Sequence, residues 1–169
     1  MKIFKLAKKD NSYTIEELSI HLSNIRSFLL TNKIALEVCS EFGYDKKILL
    51  GIPISFSDDL DVSAKTTDGQ MIINTGLIEE GYEIMLRYVV HELVHVFQHM
   101  ENKEKIDLYP DHEYLDRPDE LQAFQYQIEF DETARGEKSV IEYIEGLLDY
   151  HNVPDKDKVD KAVELMENI

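Results

Sequence analysis

Tyr88-Val89-Val90-His91-Glu92-Leu93-Val94-His95-Val96-Phe97-Gln98-His99 is the stretch from which the rest of the chain is read. Met85, Val89, Val96 and Met100 fall broadly on one flank, which predicts a helix over residues 83–100. His91 and His95 are then i and i+4, so both imidazoles leave one face, close enough to share an ion. Neutral imidazole suits zinc at about 2.0–2.1 Å, and a tetrahedral catalytic site needs a third protein ligand and one position left open for water. Glu92 follows His91 directly and points about 100° round the helix from it, within reach of that water without occupying the metal. With 6 His in 169 residues, a His-Glu-x-x-His run arises by chance in roughly 2% of shuffled chains, so the pattern carries information.

The third ligand has several candidates. His99 extends the stripe, but at 1.5 Å per residue it lies about 6 Å beyond His95, and three imidazoles on one straight helix make a poor tetrahedral set. His112 sits among Asp111, Glu113 and Asp116 in a polar stretch, residues 101–117, that contains Pro110 and reads mostly as loop. Loops do supply ligands, although no spacing recommends these.

Outward from this helix the pattern is α+β. Thr14 and Glu17 form a capping box, and Ile15, Leu18, Leu22, Ile25 and Leu29 then recur at helical spacing. Residues 33–42 continue or restart that helix up to Gly43. Residues 48–56 read as extended, and residues 62–75 as a β-hairpin turning at Asp68-Gly69. Pro118 opens a helix that Gly136 stops, and two more fill 138–151 and 155–168, with Val140, Ile144, Leu147 and His151, then Val159, Val163 and Met166, recurring at the helical period. The expected architecture is a small antiparallel or mixed sheet beside an active-site helix, with a helical carboxy-terminal half.

Composition sets the bounds. The 169 residues suit one domain, large enough to bury about two thirds of its unfolded surface. Cys39 is the only cysteine, which excludes a disulfide framework or a Cys-rich zinc module. The net charge is −16, with 14 acids against 10 bases in residues 1–100 and 20 against 8 in the remainder. The only basic cluster is Lys2, Lys5, Lys8 and Lys9, so no nucleic-acid partner is expected. No apolar run reaches the roughly 20 residues that span a bilayer, and no secretory signal is visible, so neither a membrane partner nor export is expected and the expected location is the cytoplasm.

Residues 88–99 resemble the active-site helix of the zincin metallopeptidases. Arg117-Pro118-Asp119-Glu120-Leu121-Gln122-Ala123-Phe124 resembles the second helix of their Glu-ligand branch, the gluzincins, and the 25 residues from His95 to Glu120 are typical of it. The resemblance covers about a quarter of the chain. It implies a zincin-like fold and one Zn²⁺ per chain held by His91, His95 and Glu120, with Ala123 allowing the two helices close approach. It implies Glu92 as general base, and endopeptidase-like hydrolysis of a peptide or protein substrate. Tyr114 is a candidate donor to the developing oxyanion, with Arg117 as another. An edge strand pairing with extended peptide is also implied, for which residues 71–74 are the candidate. Thermolysin-like members carry an Asp four residues after the ligand Glu that braces a ligand His; here that position is Phe124. The alternative is a zincin scaffold of weak or no catalytic activity that binds a partner as a regulator.

Overall fold

In a computed structural model of the chain, residues 13–102, 109 and 111–167 are described. The Lys2–Lys9 cluster and part of the 101–117 stretch lie outside them. Helix α1 (Ile15–Thr31) starts at the expected capping box, with Thr14 Oγ1 accepting from Glu17 N–H and Glu17 Oε2 accepting from Thr14 N–H. Asn32 breaks the helix and caps the next, α2 (Lys33–Glu41), by accepting from the N–H groups of Ile34 and Ala35. The stop at Gly43 requires a φ of +74°, which glycine adopts at little steric cost.

The extended reading of residues 48–56 holds only for its end. Residues Lys46–Gly51 form a 3₁₀ helix capped by Asp45, and strand β1 covers Ile54–Ser57. Arg26 of α1 is the reason. Its guanidinium donates to the carbonyls of Leu49, Leu50 and Ile52 at 3.0–3.4 Å, meeting with one side chain the acceptors a strand partner would have met.

Strands β2 (Ala64–Thr67) and β3 (Gln70–Asn74) form the expected hairpin, with Asp68 and Gly69 both at positive φ as a type I′ turn requires. β1 pairs with β3 in parallel, giving a mixed sheet of order β1-β3-β2. Residues 71–74 are therefore not the edge. β3 is the central strand, paired on both sides with Met71 and Ile73 fully buried, and the edge facing the cleft is β2.

A short helix, α3 (Gly76–Glu80), follows, and Gly81 at φ +110° separates it from α4 (Tyr82–Glu101). The flank inferred for α4 is too narrow. Residues 87–94 are all buried, because the sheet, α2 and α5 surround the middle of this helix. Helix α5 (Pro118–Arg135) packs along it, with Ala123 fully buried, and α6 (Glu137–Tyr150) and α7 (Asp155–Met166) complete the helical half. The stripe assigned to α7 is out of phase. Val159 is 71% exposed, whereas Leu165 is the residue that is fully buried. Of the apolar residues that recur along α1, Ile15 is exposed and only Ile25 and Leu29 are fully buried. Among the described residues no helix is long and apolar enough to cross a membrane.

Candidate metal centre

Helix α4 supplies His91, Glu92 and His95, and the first turn of α5 supplies Glu120. An acid is favoured there by the helix dipole, and Pro118 begins the helix where an N–H would be unpaired anyway. His91 Nε2 and His95 Nε2 lie 3.1 Å apart, and each is 3.3 Å from Glu120 Oε2. Two ligands of one tetrahedral ion with bonds of about 2.0–2.1 Å are separated by about 3.3–3.4 Å. The three atoms thus already approximate one face of such a coordination shell. Glu120 Oε2 is buried and faces the two imidazole nitrogens. His91, His95 and Glu120 are the only such ligand group among the described residues.

The orientation of His95 follows from its neighbours. Gln98 Nε2 donates to the Asp119 carbonyl (3.0 Å) and to Gln122 Oε1 (2.9 Å), which leaves Gln98 Oε1 as an acceptor. His95 Nδ1–H donates to that oxygen at 2.8 Å, so in the neutral ring Nε2 is the nitrogen whose lone pair faces the trio. This brace comes from within α4, one turn beyond His95, at a position the His-Glu-x-x-His pattern does not include. His91 is held differently. Phe124 sets its ring edge-on against the imidazole at 4.8 Å, where a carboxylate brace was absent from the sequence.

Glu92 is buried beside the trio. Thr66 Oγ1 on β2 donates to Glu92 Oε2 at 2.8 Å and lies 3.2 Å from the Glu92 carbonyl oxygen. Spacing alone gave no reason to pair a strand Thr with a helix Glu 26 residues away. The same strand bounds an open cleft of about 1000 Å³ lined by His91, Glu92, His95, Tyr114 and Glu120. Asn74 N–H donates to the Ser63 carbonyl at 2.9 Å. Alternation along the hairpin then turns the main-chain groups of Lys65 and Thr67 toward β3 and those of Ala64 and Thr66 toward the open edge above Glu92.

The remaining candidates are sorted by position. Tyr114 reaches the cleft from a 3₁₀ turn (Tyr114–Asp116). Its ring stacks on His151 at 4.8 Å, and although the residue as a whole is 39% exposed, desolvation of the hydroxyl and its hydrogen bond to Glu120 push the phenol above its ordinary range. It is therefore a proton donor at neutral pH. Arg117 lies at the rim, paired with Asp119 through two contacts of 3.0 and 3.3 Å. His112 is exposed and meets Tyr109 edge-on at 5.5 Å, away from the ligand trio. His99 also lines the cleft, but its ring lies under the β2–β3 turn, 3.2 Å from where a Cβ on Gly69 would stand. His99→Ala is accordingly expected to leave metal stoichiometry and affinity at the wild-type level, measured by chelator competition; a loss of binding would make His99 a ligand.

Without a metal, a proton serves the trio. Burial opposes charge on His95, but the Glu120 and Glu92 carboxylates outweigh it and raise the imidazole to about 9. Burial likewise opposes a charged Glu120, yet the two imidazoles hold its carboxyl below the ordinary range. A raised histidine adds stability below its unfolded value near 6.5 and loses it as pH rises through the folded value. The melting temperature of metal-free protein should therefore fall between pH of about 6.5 and 9. A metal needs the same groups deprotonated, so the metal-loaded protein should not share this fall. Parallel melting profiles for the two forms across this range would contradict the shared role of these groups.

No protein-family model matches the chain, and comparisons with curated proteins and with solved structures likewise find no match.

Proposed function

We propose that the protein is a zinc-dependent peptidase of zincin-like fold and gluzincin type. His91, His95 and Glu120 are its zinc ligands and Glu92 its general base. The convergence of two imidazole Nε2 atoms and one buried carboxylate oxygen within 3.1–3.3 Å, beside a carboxylate that is not part of the trio, carries this reading. When bound, zinc supplies Lewis acidity, lowering the pKa of water toward about 7 and polarising a carbonyl.

The chain's own groups do the rest. Glu92 Oε2 is held by the Thr66 hydroxyl, which leaves Oε1 to take the proton from the attacking water and return it to the departing amine nitrogen. Ala64 and Thr66 offer main-chain groups along the open edge of β2, so an extended peptide can add as a strand with its scissile bond over Glu92. The Tyr114 phenol, protonated at neutral pH, turns from Glu120 and donates its one proton toward the oxyanion as negative charge develops there.

The test is incubation of zinc-loaded protein with a peptide library and mass analysis of the products. Cleavage at a recurring set of bonds that stops on chelation is expected. Failure to cleave any peptide, together with specific capture of a partner, would favour the regulatory alternative.

A further inference from the structure

His91 faces the ligand trio with Nε2, so the proton of the neutral ring belongs on Nδ1. That nitrogen is buried and has no hydrogen-bond partner, whereas a ligand imidazole is ordinarily steadied through its far nitrogen. Phe124 fixes the plane of the ring by contact but accepts no proton.

One turn along α5 from Phe124, Gln127 is 1% exposed, and neither of its amide atoms has a partner at hydrogen-bond geometry. Gln127 lies near enough to the Tyr143 hydroxyl to influence it, and the Tyr88 ring stands edge-on to Tyr143 at 6.5 Å. His91, Gln127, Ser63, Tyr88 and Tyr143 line one small chamber of about 80 Å³, which adjoins the cleft through His91, Glu92 and Tyr114. A chamber of that size has room for one or two waters, and a buried water is stable where two to four polar groups face it. An orphan donor on His91 and a Gln127 amide that keeps bonding capacity beyond its approach to the Tyr143 hydroxyl, lining the same space, meet that condition.

We propose that Gln127 is a positioning residue for His91, acting through a water that accepts from His91 Nδ1–H and bonds the Gln127 amide. This rests on the reading of His91 as a metal ligand. The bridge holds the tautomer with the Nε2 lone pair toward the metal and takes the place of the carboxylate that Phe124 replaces.

Gln127→Met keeps length and volume but removes both polar atoms. Its zinc affinity, from chelator competition, is expected to fall about 10-fold or more, and the visible spectrum of the cobalt-substituted form to shift. The metal-free variant should keep wild-type secondary structure and a single cooperative unfolding transition, because Met fills the volume of the buried Gln127 side chain. A fold defect would instead broaden or abolish that transition. Gln127→Glu keeps an acceptor oxygen at the same reach and is expected to restore affinity. In zinc-loaded wild type, the His91 Nδ1–H should give an NMR cross-peak to bound water. Wild-type affinity and cobalt spectrum in Gln127→Met, or a His91 ring proton with no water cross-peak, would overturn the inference while leaving the metal centre standing. Wild-type protein that binds neither zinc nor cobalt would overturn both.

Discussion

Glu92→Gln should lower kcat for peptide hydrolysis by about 10²- to 10⁴-fold while leaving zinc bound at one per chain. Gln keeps the volume of Glu and an amide oxygen that still accepts from Thr66 Oγ1, so the 2.8 Å contact tying β2 to α4 survives. It cannot take a proton at neutral pH. The loss corresponds to about 3–5 kcal/mol of transition-state stabilisation. Because Glu92 lies outside the ligand trio, zinc affinity measured by chelator competition should change little. The variant thus separates chemistry from metal binding. Turnover of a validated substrate at the wild-type rate would remove Glu92 from the mechanism.

Glu120→Ala should have the largest effect on metal affinity. It deletes the only carboxylate in the trio, leaving two imidazoles that cannot close a tetrahedral structural or catalytic site alone. The loss should exceed the about 10- to 100-fold that removal of an outer partner costs, and is readable by isothermal titration with zinc. A second effect is expected in the metal-free protein. His95 owes its raised pKa to Glu120 above all other side chains, so the melting profile of the variant should no longer fall between pH of about 6.5 and 9. Unchanged zinc affinity would give the third ligand position to another residue. Glu120→Gln, which keeps the shape, should bind zinc more weakly than wild type because its oxygen carries no charge.

What the sequence made legible was what depends on local spacing. The i, i+4 relation of His91 and His95, the capping box at Thr14, the Asp68-Gly69 turn and the Pro118 and Gly136 boundaries are written within a few residues and appear as expected. Features that depend on distant partners were not. Arg26 turns Lys46–Gly51 into a 3₁₀ helix by donating across 23 to 26 residues, and no periodicity within 48–56 records that. β3 proved central rather than edge because β1 returns in parallel on its far side, a matter of sheet order and not of strand composition. In helix α7 the few apolar residues sit among charges, so 159–163–166 and 162–165–166 look alike by spacing until packing selects Leu165.

The candidate site divides in the same way. That His91 and His95 share a face follows from helix geometry, and the expectation that Glu120 joins them beside Glu92 follows from the resemblance of residues 88–99 and 117–124 to gluzincin helices; the structure brings His91, His95 and Glu120 together. The groups that orient them, Thr66 and Gln98, use residue types too common to stand out in a sequence. Gln98 had a weak signal, being three residues after His95 on the same helix, a spacing at which side chains meet. Thr66 had none, since only the packing of the hairpin on α4 brings it to Glu92.

The most direct measurement is the zinc content per chain, by elemental analysis, of wild-type protein purified without added metal or a histidine tag. One zinc per chain is the predicted result. Protein that stays empty of zinc even after zinc is offered in excess would contradict the metal centre, and would reduce His91, His95 and Glu120 to a buried ion pair between two helices.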